Sequence, residues 1–201
     1  VCNDAAVAGY AWHWWHEIVR QTQQNGYQKM KDNFEKSLEM LLHHEGGFVN
    51  HPKDPGGVTN LGVTKAVYEK WVGREVSIEE MKDLTHEDVA PIYKKNYWDK
   101  LRGDDLPGGL DFAAFDWGVN SGTGRPAKVM QKYIGATQDG AIGPKSLTLI
   151  AENDPGNIIQ YLYEQRQKFY ERLKTFDTFG KGWTRRNQET LKAALEMAHE
   201  T

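Results

Sequence analysis

Apolar side chains recur along most of the chain at helical spacing. Phe34, Leu38, Leu41 and Leu42 stand at i, i+4, i+7 and i+8, one face of a helix. Asp32 or Asn33 can cap its start, and Gly46-Gly47 ends it, so Glu45 falls in its last turn. Residues 48–63 break the pattern. Pro52, Pro55, Gly56, Gly57 and Gly62 predict a loop with a short hairpin. Thr64 then caps a helix to about Trp71, stopped by Gly73. Ser77 with Glu80 forms a capping box for the next, and Thr85 with Asp88 opens another that carries Pro91 and ends near Trp98. Residues 110–119 are apolar nearly all round, which predicts a central helix closed by Asn120 to Gly124. Further helices are predicted from Arg125 to Gly135, from Gly143-Pro144, from Asp154-Pro155, and from Trp183 to Ala198. In the third of these Ile158, Leu162, Gln165, Phe169 and Leu173 recur at helical spacing. No internal repeat is present.

The order of elements suggests three parts: an N-terminal segment 1–28, a body 29–124 and a helical module 125–201. In the first, residues 5–19 are apolar and aromatic but carry His13, His16 and Glu17, and are short for a membrane span. They read as the remnant of a signal-anchor, an interfacial helix, or a helix packed on the body. Composition narrows the classes. With 26% charged and 39% hydrophobic residues the chain is an ordinary globular one, so disorder and fibrous arrays are excluded. The single cysteine, Cys2, excludes an intrachain disulfide and a cysteine zinc cluster. A net charge of −3 argues against nucleic acid as partner. Residues 1–124 hold 13 basic and 19 acidic side chains, and residues 125–201 hold 12 and 9. A basic tail of this kind suits an anionic polymer.

The stretch with chemical content is His44-Glu45-Gly46-Gly47, then Asp54, then Thr59. Glycoside hydrolysis needs one acid to protonate the leaving oxygen and one carboxylate to activate water or attack. Glu45, at a helix C-terminus, faces the negative end of the dipole, which disfavours its ionised form. Asp54 sits in a polar Asp-Pro-Gly-Gly turn, where a carboxylate stays charged. Two carboxylates in unlike environments suit acid–base work. Other chemistries fit less well. His43, His44 and His51 fail the H-E-x-x-H zinc pattern, because Phe48 stands where the second histidine belongs. The glycines from 118 to 128 match no phosphate-binding pattern, and no G-x-S-x-G elbow exists. Of Tyr93, Tyr97, Trp98 and Trp117, which can stack on sugars, two are expected in the core.

His44-Glu45-Gly46-Gly47-Phe48-Val49-Asn50, Asp54-Pro55-Gly56-Gly57 and Thr59-Asn60-Leu61-Gly62-Val63-Thr64 together resemble the signature of glycoside hydrolase family 108, the N-acetylmuramidases of phages and bacteria. Phe48 replaces the tyrosine usual after Glu-Gly-Gly. Ile92 to Asp99 resembles a second family block and Phe115 to Gly122 a third. From about Ala127 the chain resembles the peptidoglycan-binding module that often follows this domain, through Asp139 to Ser146 and Thr178 to Trp183. The likeness spans about residues 34–198, and residues 1–30 have no counterpart in it. It implies that Glu45 is the proton donor. A fainter similarity to phage-type lysozymes of another family, with an acid, an aspartate nine residues on and a threonine shortly after, adds Asp54 and Thr59. There the threonine follows the aspartate by six residues; here it follows by five.

The expectation is therefore a mostly α, lysozyme-like α+β fold with a small hairpin and a C-terminal helical module. The expected activity is hydrolysis of the β-1,4 bond between N-acetylmuramic acid and N-acetylglucosamine in peptidoglycan. Glu45, Asp54 and Thr59 are the expected catalytic residues. Trp98, Asp116 and Asn120 are candidate cleft residues for substrate. No cofactor, metal or nucleic acid is implied, and a monomer is expected, with transient membrane association through residues 1–28. The expected setting is a phage endolysin, made in the host cytoplasm and acting on the wall from the periplasm, or a bacterial homologue remodelling its own wall. A lytic transglycosylase and a catalytically inactive wall-binding protein are the rivals.

Overall fold

The computed structural model describes Arg20 and residues 33–45, 47–50 and 57–200. The chain divides into two compact units, Val1–Asn33 and Phe34–Thr201. In the first, Arg20 is helical and exposed, and the apolar run 5–19 lies outside the described residues. The second unit carries the hairpin and the helices around it.

Helix α1 runs over residues 33–44. It buries the predicted face: Phe34, Leu38, Leu41 and Leu42 are all in the core. Beyond α1, Val49 exchanges two backbone hydrogen bonds with Thr59, of 2.8 and 2.9 Å. Strands β1 (Thr59–Asn60) and β2 (Val63–Thr64) pair antiparallel, Thr59 opposite Thr64. They form the predicted hairpin. Its two turn residues, Leu61 and Gly62, both have positive φ, of 48° and 71°, as a two-residue turn matched to strand twist requires.

The capping residues act where their spacing places them. Thr64 caps α2 (Lys65–Val72), and Gly73 ends it in the left-handed conformation. Complete capping boxes start α3 (Ile78–Lys82) at Ser77 and α4 (His86–Tyr93) at Thr85. After α4 the chain does not stay α-helical to Trp98. Lys94–Trp98 is a wide π turn, followed by short 3-10 turns. Helix α5 (Leu110–Ser121) buries every residue from Leu110 to Gly118, Asp111 and Asp116 included; its nearly all-round apolar sequence predicts a central helix. Helices α6 (Gly124–Tyr133), α7 (Pro144–Ala151) and α8 (Pro155–Glu171) begin near the predicted positions.

Helix α9 (Phe176–His199) begins seven residues before the predicted start at Trp183. Gly180 and Gly182 signal a break, at about 1 kcal/mol each against alanine. Packing along α8 overrides that local preference.

Two apolar clusters meet at α5. One joins α1, the hairpin and α4 around Phe115. The other joins α6 to α9 around Phe112 and Trp117. Gly109, just before α5, stands so close to the Ala194 carbonyl of α9 that a Cβ there has no room. Residue 124 lies at the start of α6, within the second unit. Among the described residues no helix is long and apolar enough to cross a membrane.

Candidate active site

The end of α1 delivers Glu45 to the floor of a cleft of about 700 Å³. Its backbone N–H still donates to the Leu41 and Leu42 carbonyls, at 3.2 Å each, so the residue is held by the helix's last turn. Its side chain is 23% exposed, enough to meet a ligand. The hairpin turn forms the adjoining wall. A Cβ on Gly62 would collide with the Tyr93 hydroxyl and would lie 3.4 Å from Glu45 Oε2. Tyr93, from α4, donates its hydroxyl to the Leu61 carbonyl at 2.9 Å and so pins the strained turn. Burial, then the nearby Glu45 charge, push the Tyr93 phenol above its ordinary value.

The opposite wall comes from the C-terminal helices. Tyr170 and Trp183 line the cleft, with ring centroids 5.4 Å apart. Phe179, stacked on Trp183 at 5.8 Å, continues this aromatic surface outward and is 53% exposed. Asn96 and Tyr97 from the π turn, and Asn120 and Ser121 from the end of α5, complete a lining of rings and hydrogen-bonding groups.

Beneath the floor lies a group of charges. Arg186, on α9, donates from Nη1 to Glu45 Oε1 at 3.0 Å, and from Nη2 and Nε to Asp116 Oδ1 at 2.7 and 3.1 Å. Arg166, on α8, meets Asp116 Oδ2 at 2.6 Å. It also donates to Asn120 Oδ1 at 3.1 Å and to the Tyr170 hydroxyl at 2.7 Å. Burial alone would push the Asp116 carboxyl up; Arg166 and Arg186 outweigh it and hold the group down at about 2. The same contacts raise Arg186 above its ordinary value against the pull of burial. His44, beside Glu45, is lowered by burial and by Arg186.

The structure brings three of the expected site residues together, Glu45, Asp116 and Asn120, though Asp116 is wholly buried and does not line the cleft. Thr59 sits on the hairpin outside the lining, its hydroxyl donating to the Gly57 carbonyl at 3.3 Å. Asp54 lies outside the described residues. Trp98 is a core residue, not a cleft residue: it is fully buried, and its indole N–H donates to Asp104 at 2.7 Å. The π turn sends it inward between Phe34 and Phe115. Trp117 and Tyr93 are buried as well, so three of the four aromatics noted in the sequence belong to the core; Tyr97 lines the cleft, and the buried Tyr93 borders it beside the hairpin turn. Sequence reasoning missed Arg166 and Arg186. The available signal was placement: Arg166 stands four residues from both Leu162 and Tyr170, on the buried stripe of α8. A charge on an apolar face demands a buried partner.

Comparison with known proteins agrees with this architecture. No curated protein matches the chain. Twelve solved chains match it. One is the structure of Brucella abortus SagA, which is 44% identical, with a TM-score of 0.72 over 84% of this chain and 97% of that one. The family Glycosyl hydrolase 108 matches residues 38–122, a span that holds Glu45, the hairpin, Asp116 and Asn120. On the family match and the extended likeness to SagA together, the chain belongs to glycosyl hydrolase family 108.

Proposed function

We propose that this glycoside hydrolase is an N-acetylmuramidase that cleaves the β-1,4 bond between N-acetylmuramic acid and N-acetylglucosamine in peptidoglycan. The observation that carries the reading is Glu45. It is a carboxyl group on the floor of an open cleft whose walls present aromatic rings and hydrogen-bonding groups, the surface a sugar chain needs. In this reading Glu45 protonates the glycosidic oxygen while the sugar gains oxocarbenium character. Asp54 positions the attacking water, with Thr59 bracing the chain at Gly57. The product is a reducing sugar end, and the enzyme acts on the cell wall. A phage endolysin is the setting proposed first. Remodelling of a bacterium's own wall is the second, favoured by the likeness to a Brucella protein.

The test is Glu45→Gln, which keeps shape and hydrogen-bonding reach but removes the transferable proton. Reducing-end release from purified peptidoglycan is expected to fall by about 10²–10⁴-fold, the usual weight of general acid catalysis. Circular dichroism and thermal unfolding serve as folding controls, with a stability change of about 1 kcal/mol expected, because Arg186 keeps its contact with Asp116 when Glu45 is neutral. A folded variant retaining more than about a tenth of the turnover refutes the assignment. Product mass separates hydrolysis, which adds water, from a transglycosylase, which leaves anhydro ends.

A further inference from the structure

The charges beneath the cleft form one continuous series. From the cleft inward they run Glu45, Arg186, Asp116 and Arg166, alternating in sign, and Arg166 then reaches Asn120. Side-chain exposure falls along it, from 23% at Glu45 and 15% at Arg186 to none at Asp116 and 2% at Arg166. Glu45, Arg186 and Asn120 reach the cleft, and Asp116 and Arg166 are sealed beneath it. A Thr190 hydroxyl, 3.3 Å from Asp116 Oδ2, adds a further donor to the sealed end.

Such a cluster is a poor device for stability. Removing charges from water costs several kcal/mol per ion, and well-packed apolar residues of the same volume often do as well. What it delivers is direction. The guanidinium of Arg186 is planar, and two of its three nitrogens are engaged by Asp116, which two guanidiniums and a hydroxyl hold in turn. The plane is thereby set, and the remaining nitrogen, Nη1, points at Glu45 Oε1. A glutamate has three rotatable bonds, and the residue lies at the very end of its helix. Without this contact its carboxyl group is free to turn among rotamers. Arg186 holds one oxygen and leaves the other, Oε2, on the Gly62 side of the cleft. Lysine, a single point charge, cannot make both contacts in a fixed plane.

We infer that Arg186 is the positioning residue of Glu45, and that Asp116 and Arg166 act through it, so that α8 and α9 form part of the catalytic apparatus. The inference rests on the reading of Glu45 as proton donor. Neither arginine falls within residues 38–122, the span the family match covers.

The experiment uses the full chain and three variants, Arg186→Ala, Arg186→Lys and Glu45→Gln, assayed on purified peptidoglycan with thermal unfolding as control. Misplacing a reacting group by about 1 Å costs on the order of 10²-fold. Arg186→Ala is expected to lower kcat by about 10–100-fold with apparent KM within about threefold, since Arg186 lines the cleft with only 15% of its side chain exposed and the aromatic walls at Tyr97, Tyr170 and Trp183 are untouched. Methylguanidinium at millimolar concentration is expected to restore part of the lost kcat, which a merely structural role does not allow. Arg186→Lys is expected to recover less than half of the loss, and is read by the same criteria of kcat and KM if the alanine variant does not fold. The inference is overturned if the folded variant keeps kcat within about threefold of wild type, if the loss lies in KM, or if added methylguanidinium leaves Arg186→Ala unchanged. Glu45→Gln separates the two levels. Full turnover in Glu45→Gln removes the proton-donor reading and this inference with it; an inactive Glu45→Gln beside an active Arg186→Ala removes this inference alone.

Discussion

At the scale of single residues, Asp116 links a buried charge to stability. It is wholly buried between two guanidiniums, and its carboxyl group titrates at about 2 against an ordinary 3.8. A carboxyl with a depressed folded value contributes stability that is complete above its unfolded value and lost as pH falls through the folded one. The window for Asp116 is therefore from about pH 4 down to about pH 2, and the contribution is on the order of 2 kcal/mol. Asp116→Asn keeps the shape but leaves two arginines facing a neutral group. It is expected to destabilise the fold by about 3–5 kcal/mol at neutral pH. It is also expected to flatten the acid dependence of stability in that window. Urea unfolding of both proteins at a series of pH values measures this. The exposed Arg74–Glu80 pair titrates in the same range but is common to both, so the difference isolates Asp116. An unchanged slope below pH 4 overturns the assignment.

At the scale of elements, the hairpin turn carries the closest fit. Gly62 is there for two reasons at once: its φ of 71° suits glycine, and its missing Cβ leaves room for the Tyr93 hydroxyl. Gly62→Ala is expected to cost about 1 kcal/mol or more from the backbone alone. It is also expected to displace Tyr93 from the Leu61 carbonyl and to narrow the approach to Glu45. The expected result is a fall in kcat/KM of at least about tenfold in a variant that still folds. Gly73→Ala, at a similar φ of 74° but with open space around it, is the control. It shares the backbone cost and is expected to leave activity alone. Equal activity in the two variants sinks the steric account.

At the scale of the whole molecule, the question is whether residues 125–201 separate from the rest. Helix α5 buries Phe112 and Trp117 in the cluster completed by α6 to α9. A chain ending at Gly124 exposes that face and strips Asp116 of both arginines. Each large apolar side chain returned to water costs about 1.5–3 kcal/mol, against a typical total stability of about 5–15 kcal/mol. The truncated protein is expected to lack a cooperative thermal transition and to bind a hydrophobic dye. A cooperative melt with native-like near-ultraviolet circular dichroism refutes this and makes the C-terminal helices a detachable unit. The basic surplus of residues 125–201 remains compatible with wall contact in either case.

The features legible in the sequence are those settled within about two helical turns of chain. The boxes at Ser77 and Thr85 cap helices because donor and acceptor stand three residues apart. The run after Leu110 is central because, Asp111 and Asp116 apart, it is apolar on nearly every face. Glu45 stands directly after the last helical residue of α1, where the sequence pattern predicts the helix to end. Tertiary structure alone decided which charges meet. Arg186 and Glu45 are 141 residues apart, and no local spacing encodes their contact. It also decided that Trp98 enters the core, through a π turn between Phe34 and Phe115, and that α9 runs unbroken through two glycines. In each case the deciding energy is packing and charge pairing between distant segments, which exceeds the local preference of about 1 kcal/mol per residue that a sequence pattern reports.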